Sequence, residues 1–176
     1  MLRTWILMLV TAAGVPGRAA ATEPTGEAAA TRSAWTGTWV LDRSSSDSLD
    51  AVLTAQGLPK AKRLVADKVD LTQKLVDHGD SIELEMLGPR AKTGTLTFDG
   101  KERTETTDNG VVHYRAKRDP SGAVVVISRS AQSAGLITIV TRTLDADGKT
   151  LRQQVKVTGG EGDTISATLV FRRASD

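Results

Sequence analysis

The chain has 176 residues, one domain's length, with 23 Lys and Arg against 21 Asp and Glu, a formal net charge of +2, 3% aromatics and no cysteine. That balance gives no global pull toward nucleic acid, and the aromatics are too few for a surface that stacks single-stranded bases. Without thiols there is neither a disulfide nor a lipid-modified cysteine, so in an oxidising space the fold must rest on its packed core.

Met1-Leu2-Arg3 is a short positive start, residues 5–15 are apolar, and Ala19-Ala20-Ala21 offers small residues at a signal-peptidase site. The apolar run is shorter than the ~20 residues that span a bilayer. Residues 1–21 are therefore expected to be a cleaved signal peptide, which places the mature protein in the periplasm or outside the cell. Residues 22–34 have no period and are rich in Ala, Thr, Glu and Gly, as in a flexible leader. The folded domain is expected over 35–176.

Residues 36–42 read as a first strand with Trp39 and Leu41 on one face. Ser46 or Asp47 is the expected cap of a first helix carrying Leu49, Val52 and Leu53, which Gly57 ends. Pro59 opens a second helix, whose apolar stripe is Ala61, Leu64 and Val65, with Lys68 on the same face. Strand patterns then follow without interruption, each ended by a turn signal such as His78-Gly79-Asp80, Asp99-Gly100 or Asp145-Ala146-Asp147-Gly148. The whole predicts a mostly β domain: about ten antiparallel strands joined up-and-down, closed into a barrel or clam that hides its edges, with a helix-turn-helix lid between the first two strands.

The order of these features resembles the intracellular lipid-binding proteins, the fatty-acid- and retinoid-binding branch of the lipocalin superfamily. Gly37-Thr38-Trp39 resembles that family's opening motif. Leu49-Asp50, Gly57-Leu58, Arg63, Val65-Ala66 and Gly79-Asp80 resemble its helix pair and second strand, and Thr168-Leu169-Val170-Phe171 its last strand. Asp99-Gly100-Lys101-Glu102 and residues 147–151 also resemble hairpin turns of secreted bacterial lipocalin-like proteins. The resemblance implies a ligand cavity under a helical lid. It also implies an Arg and a Tyr on the last strand that hold a carboxylate; here Leu169 and Phe171 stand at those places and donate nothing. An inward Arg is implied near Arg142.

Arg142 is accordingly the candidate polar anchor, since a guanidinium suits bidentate contact with a carboxylate; a register slip of one residue would turn it to solvent instead. Leu169, Phe171, Val155, Leu84, Met86 and Phe98 are the candidate apolar lining, Gln153, Tyr114 and Thr104 the candidate polar lining, each of which could equally face water, and Arg63 completes the ligand set. Trp39 reads as a floor seal. Lys60, Lys62, Arg63 and Lys68 make the second helix basic, which fits either a solvated face or transient docking on an anionic membrane. His113 is a remote candidate for haem; no clustered ligands support a metal, and no cofactor is expected. The expected function is that of an exported, monomeric, non-enzymatic binder of a small hydrophobic or amphipathic molecule. A barrel filled by its own side chains and acting through protein contacts, as an envelope factor or inhibitor, is the alternative, and an enzyme with a distributed site a third.

Overall fold

A computed structural model describes residues 34–66, 68–88, 91–107, 110–131, 135–159 and 162–175. The expected signal peptide, and the leader up to residue 33, lie outside them. Ten strands form one antiparallel sheet: β1 (Gly37–Leu41), β2 (Thr72–Asp77), β3 (Ser81–Leu87), β4 (Lys92–Thr97), β5 (Arg103–Thr107), β6 (Gly110–Arg118), β7 (Val124–Ser130), β8 (Ile137–Leu144), β9 (Thr150–Thr158) and β10 (Thr164–Arg173). Their order is β4-β3-β2-β1-β10-β9-β8-β7-β6-β5, so all neighbours are consecutive in the chain except β1 and β10, and of these consecutive neighbours all but β1 and β2, which the helical insertion joins, are hairpins. The sheet curls until its two ends meet partway: beyond β4, Asp99 bridges to Lys117 of β6, while β4 and β5 share no ladder.

Period-two burial follows directly from the sequence pattern. On β9, Leu151, Gln153, Val155 and Val157 are buried while Arg152 and Lys156 are exposed; on β3, Ile82, Leu84 and Met86 are buried between Glu83, Glu85 and Leu87. The inward set from both halves of the sheet forms one apolar cluster.

The helical insertion departs from expectation in detail. Asp42, not Ser46 or Asp47, is a capping residue: it accepts from the Ser45 amide and opens a 3-10 turn at Arg43–Ser45. Ser46 Oγ and an Asp47 carboxylate oxygen instead accept from the amides of Val170 and Thr168, which pins this segment across β10 and covers Val170 on the outer face. Helix α1 (Asp50–Ala55) has Leu49 at its N-cap and buries Val52 and Leu53; α2 (Lys60–Ala66) buries Ala66 and leaves Leu64 exposed, the reverse of the expected stripe. The α1 helix packs on β10 and β9, and Gln56 donates to Thr138 of β8 at 3.2 Å, so the pair covers the end of the barrel where β1 finishes and β2 begins.

The opposite end is closed by cations lying on rings. Arg173 sits 4.6 Å over the Trp39 ring and donates to the carbonyls of Thr36, Gly148 and Ala34. Gly37 lies beneath it at φ +154°, and a Cβ there would come within 2.5 Å of the guanidinium, which gives the Gly-Thr-Trp motif a steric reason. Trp39 Nε1 donates to the Trp35 carbonyl. Beside them Arg118 donates twice to the fully buried Asp77 carboxylate, at 3.0 and 3.1 Å, and stacks on Trp35 and Phe98. Trp39 is thus a floor residue, as its position in the first strand suggested.

Candidate functional site

Strand parity decides which side chains see the interior. Register pairs Arg142 with Val124 on one side and Gln153 on the other, and Gln153 in turn with Leu169; all four are buried. Arg142 therefore points inward, the register in which it is an interior cation and not a solvated one. Its Nε donates to Gln153 Oε1 at 2.9 Å. Among the described residues no carboxylate lies within ion-pairing distance of it, and Gln153 Nε2 meets no acceptor. Burial alone lowers the guanidinium to about 10, so it remains a cation at neutral pH.

Among the described residues, an interior cation with no anion beside it stands next to an amide whose nitrogen has no acceptor, so the pair offers donors in excess of acceptors. Its chemistry fits an oxyanion: guanidinium and amide donate to carboxylate oxygens, and low dielectric strengthens each bond.

The other candidates fall around the same interior. Leu84 and Met86 from β3, Tyr114 from β6, Val155 from β9, and Leu169 and Phe171 from β10 all point inward and are buried in one apolar cluster. Phe98 is half-buried and lies under Arg118 at the floor. Arg63 stands apart: it pairs with Asp50 at 2.7 Å and donates to the Leu58 carbonyl, tying the two helices together. Lys60 and Lys68 are exposed on the lid. Thr104 faces outward, where its hydroxyl bonds His113 Nδ1 at 3.0 Å; the interior position on β5 is its neighbour Glu105. Burial raises the Glu105 carboxyl above its ordinary range, opposed by Lys92 across the β4–β5 gap, and burial likewise raises the Tyr114 phenol. Two surface clefts, of about 440 Å³ near Trp35 and about 500 Å³ near Ile137, contain none of the candidate ligand residues.

Two inward residues went unselected in the sequence. Gln73 alternates with Leu71 and Leu75 and is buried with its amide nitrogen unpartnered. Its place in an apolar alternation was the available signal. Glu105 had none, because β5 is polar on both faces.

A ten-stranded up-and-down sheet, a helix pair between β1 and β2, and edge strands that meet without pairing define the architecture. The fold is that of the fatty-acid-binding proteins. A Schistosoma mansoni fatty acid binding protein in complex with arachidonic acid superposes with a TM-score of 0.64 at 22% identity, covering 82% of this chain and 99% of that one. Caenorhabditis elegans lipid binding protein 8 gives 0.65 at 13% identity over 81% and 96%. A zebrafish ileal bile-acid-binding protein complexed with cholic acid gives 0.59 at 15% identity over 80% and 99%. No protein-family model and no curated protein matches the sequence. The fatty-acid-binding fold thus rests on geometry, and the function must be argued from this chain's own residues.

Proposed function

We propose that the protein is a non-enzymatic carrier that holds one anionic amphiphile inside the barrel. The observation that carries this is the interior Arg142, buried with no carboxylate partner among the described residues and hydrogen-bonded to Gln153, whose amide nitrogen has no acceptor. A buried unpaired cation is destabilising, and a sequence under no demand for an anion would place an apolar residue there. In this reading Arg142 and Gln153 take the anionic head group, and Leu169, Phe171, Val155, Leu84 and Met86 take the apolar body. Leu169 and Phe171 donate no hydrogen bond, so the head group depends on Arg142 instead of a two-residue clasp on the last strand.

Burying ~300 Å² of apolar ligand surface contributes ~7 kcal/mol before association costs, enough for micromolar binding with a single anchor. Two of the structural neighbours carry arachidonic and cholic acid, both carboxylic acids, which supports the ligand class. The ligand enters beneath α1 and α2, and Lys60, Lys62 and Lys68 with the exposed Leu64 give that lid a surface suited to an anionic bilayer; Arg63 is committed to Asp50 and serves the lid's integrity. Export through cleavage after residue 21, the carrier acting as a monomer, completes the reading; the export rests on the N-terminal pattern alone.

Native mass spectrometry of the purified protein, with displacement of a fluorescent fatty acid, tests the proposal. Co-purified acidic lipid, or displacement by free fatty acids but not by the matched alcohols, is expected. Repeated absence of both would favour the filled interaction barrel.

A further inference from the structure

We propose that a second polar subsite at Gln73, toward the closed end, selects ligands whose chain carries an oxygen far from the head group. This rests on the reading of Arg142 as the head-group anchor.

Gln73 is 2% exposed, and its amide nitrogen has no acceptor among the described residues. Its cross-strand neighbours are Trp39 of β1 and Met86 of β3, both buried, and the next inward residue on its own strand is Leu75. Nothing about this surrounding needs an amide. A methionine or leucine would fill the same wall without stranding a donor, and would suit a plain alkyl chain better. Among the described residues no hydrogen bond ties the amide nitrogen to a neighbour, so its value lies in what enters the interior.

The distance from Arg142 sets the ligand's shape. Arg142 is level with Gln153 and, through it, Leu169; Gln73 is level with Trp39 and, through it, Arg173. Leu169 and Arg173 are four residues apart on β10, about 13 Å along the strand. Gln73 also lies on β2 and Arg142 on β8, separated by β1, β10 and β9 in the sheet. A ligand with its carboxylate at Arg142 therefore reaches Gln73 only with the distal part of its chain. The class is a long-chain acid bearing a hydroxyl or carbonyl in its distal half: that oxygen accepts from Gln73 Nε2.

The test compares octadecanoic acid with a series of monohydroxy-octadecanoic acids, by displacement of a fluorescent fatty acid, on the parent, Gln73→Leu and Arg142→Leu. In the parent, a distal hydroxyl should tighten binding about tenfold over the unsubstituted acid, and a hydroxyl next to the carboxyl should not. Gln73→Leu should abolish that preference while binding octadecanoic acid at least as tightly. Arg142→Leu should weaken all the acids alike and keep the preference. A parent with no preference for any isomer, or a preference untouched by Gln73→Leu, overturns the subsite. If in either case octadecanoic acid still binds and still requires Arg142, the carrier reading stands alone. Loss of all binding in the parent would remove that reading too.

Discussion

Replacing Arg142 and Gln153 together by leucine should make the protein more stable and a poorer binder. Arg142 is 97% buried by complement of its 3% exposure, and the cost of that burial appears as a guanidinium lowered from 12.5 to about 10. At neutral pH the cation is present in both folded and unfolded chains, so the difference corresponds to roughly 3 kcal/mol of native-state penalty. The bond to Gln153 returns about 1 kcal/mol of it. Arg142→Leu alone removes the penalty but strands both halves of the Gln153 amide, so its net effect on stability is small. The R142L/Q153L pair leaves no polar group behind and should gain about 2 kcal/mol, raising the melting temperature by about 5 °C. Loss of a charge-assisted contact should weaken binding of an anionic amphiphile by about 10- to 100-fold, with the matched neutral alcohol unaffected. Thermal unfolding and probe displacement on the same samples read both effects. A double variant less stable than its parent would show that the guanidinium braces the wall, and the argument from an uncompensated cation would fail.

Two further outcomes follow from the walls and floor. Asp77→Asn should cost about 3 kcal/mol, because it leaves the Arg118 guanidinium between Trp35 and Phe98 without the carboxylate that receives two of its N–H groups; urea unfolding that moves by less than about 1 kcal/mol would make the pair incidental. Glu105, whose carboxyl is raised by burial, binds its proton more tightly folded than unfolded, so the stability it withholds is small below its unfolded value of 4.5 and is fully withheld once the pH has risen past the raised folded value. Glu105→Gln should accordingly stabilise the protein at about pH 7 and much less at about pH 4; a parent–variant difference in melting temperature that is flat over that range would place the carboxyl in solvent.

Much of this arrangement was legible in the residues, for a physical reason that also explains the gaps. Where one face of a strand is apolar, alternation fixes the side to which every residue points, and so Val155 could be placed with the inward apolar set from the residues, whereas Gln153 and Tyr114, which the sequence allowed to face water equally well, needed the register. Arg142 required the register as well, since its strand carries Thr and Ile on the outer face and the alternation there is weak. On β5 there was no alternation to read, and Thr104 and Glu105 exchanged places. The helical segment was misjudged in its contacts, not its existence: Ser46 and Asp47 have the chemistry of caps, yet their oxygens are taken by β10 amides that are more than a hundred residues away in sequence. Leu64 is exposed because α2 packs through Ala66, which turns Leu64 outward.

The pairing of β1 with β10 carries a consequence for how the molecule is made. Trp39 meets Arg173 and Leu41 meets Phe171, so the opening strand finds one of its two partners only in the final ten residues of sheet. Until that stretch is available, β1 keeps an open flank and the floor clasp of Arg173 over Trp39 cannot form. Such distant closure makes folding slow relative to local hairpin formation. The barrel therefore closes on itself through its last strand, and the seam between β1 and β10 is the final ladder that can form.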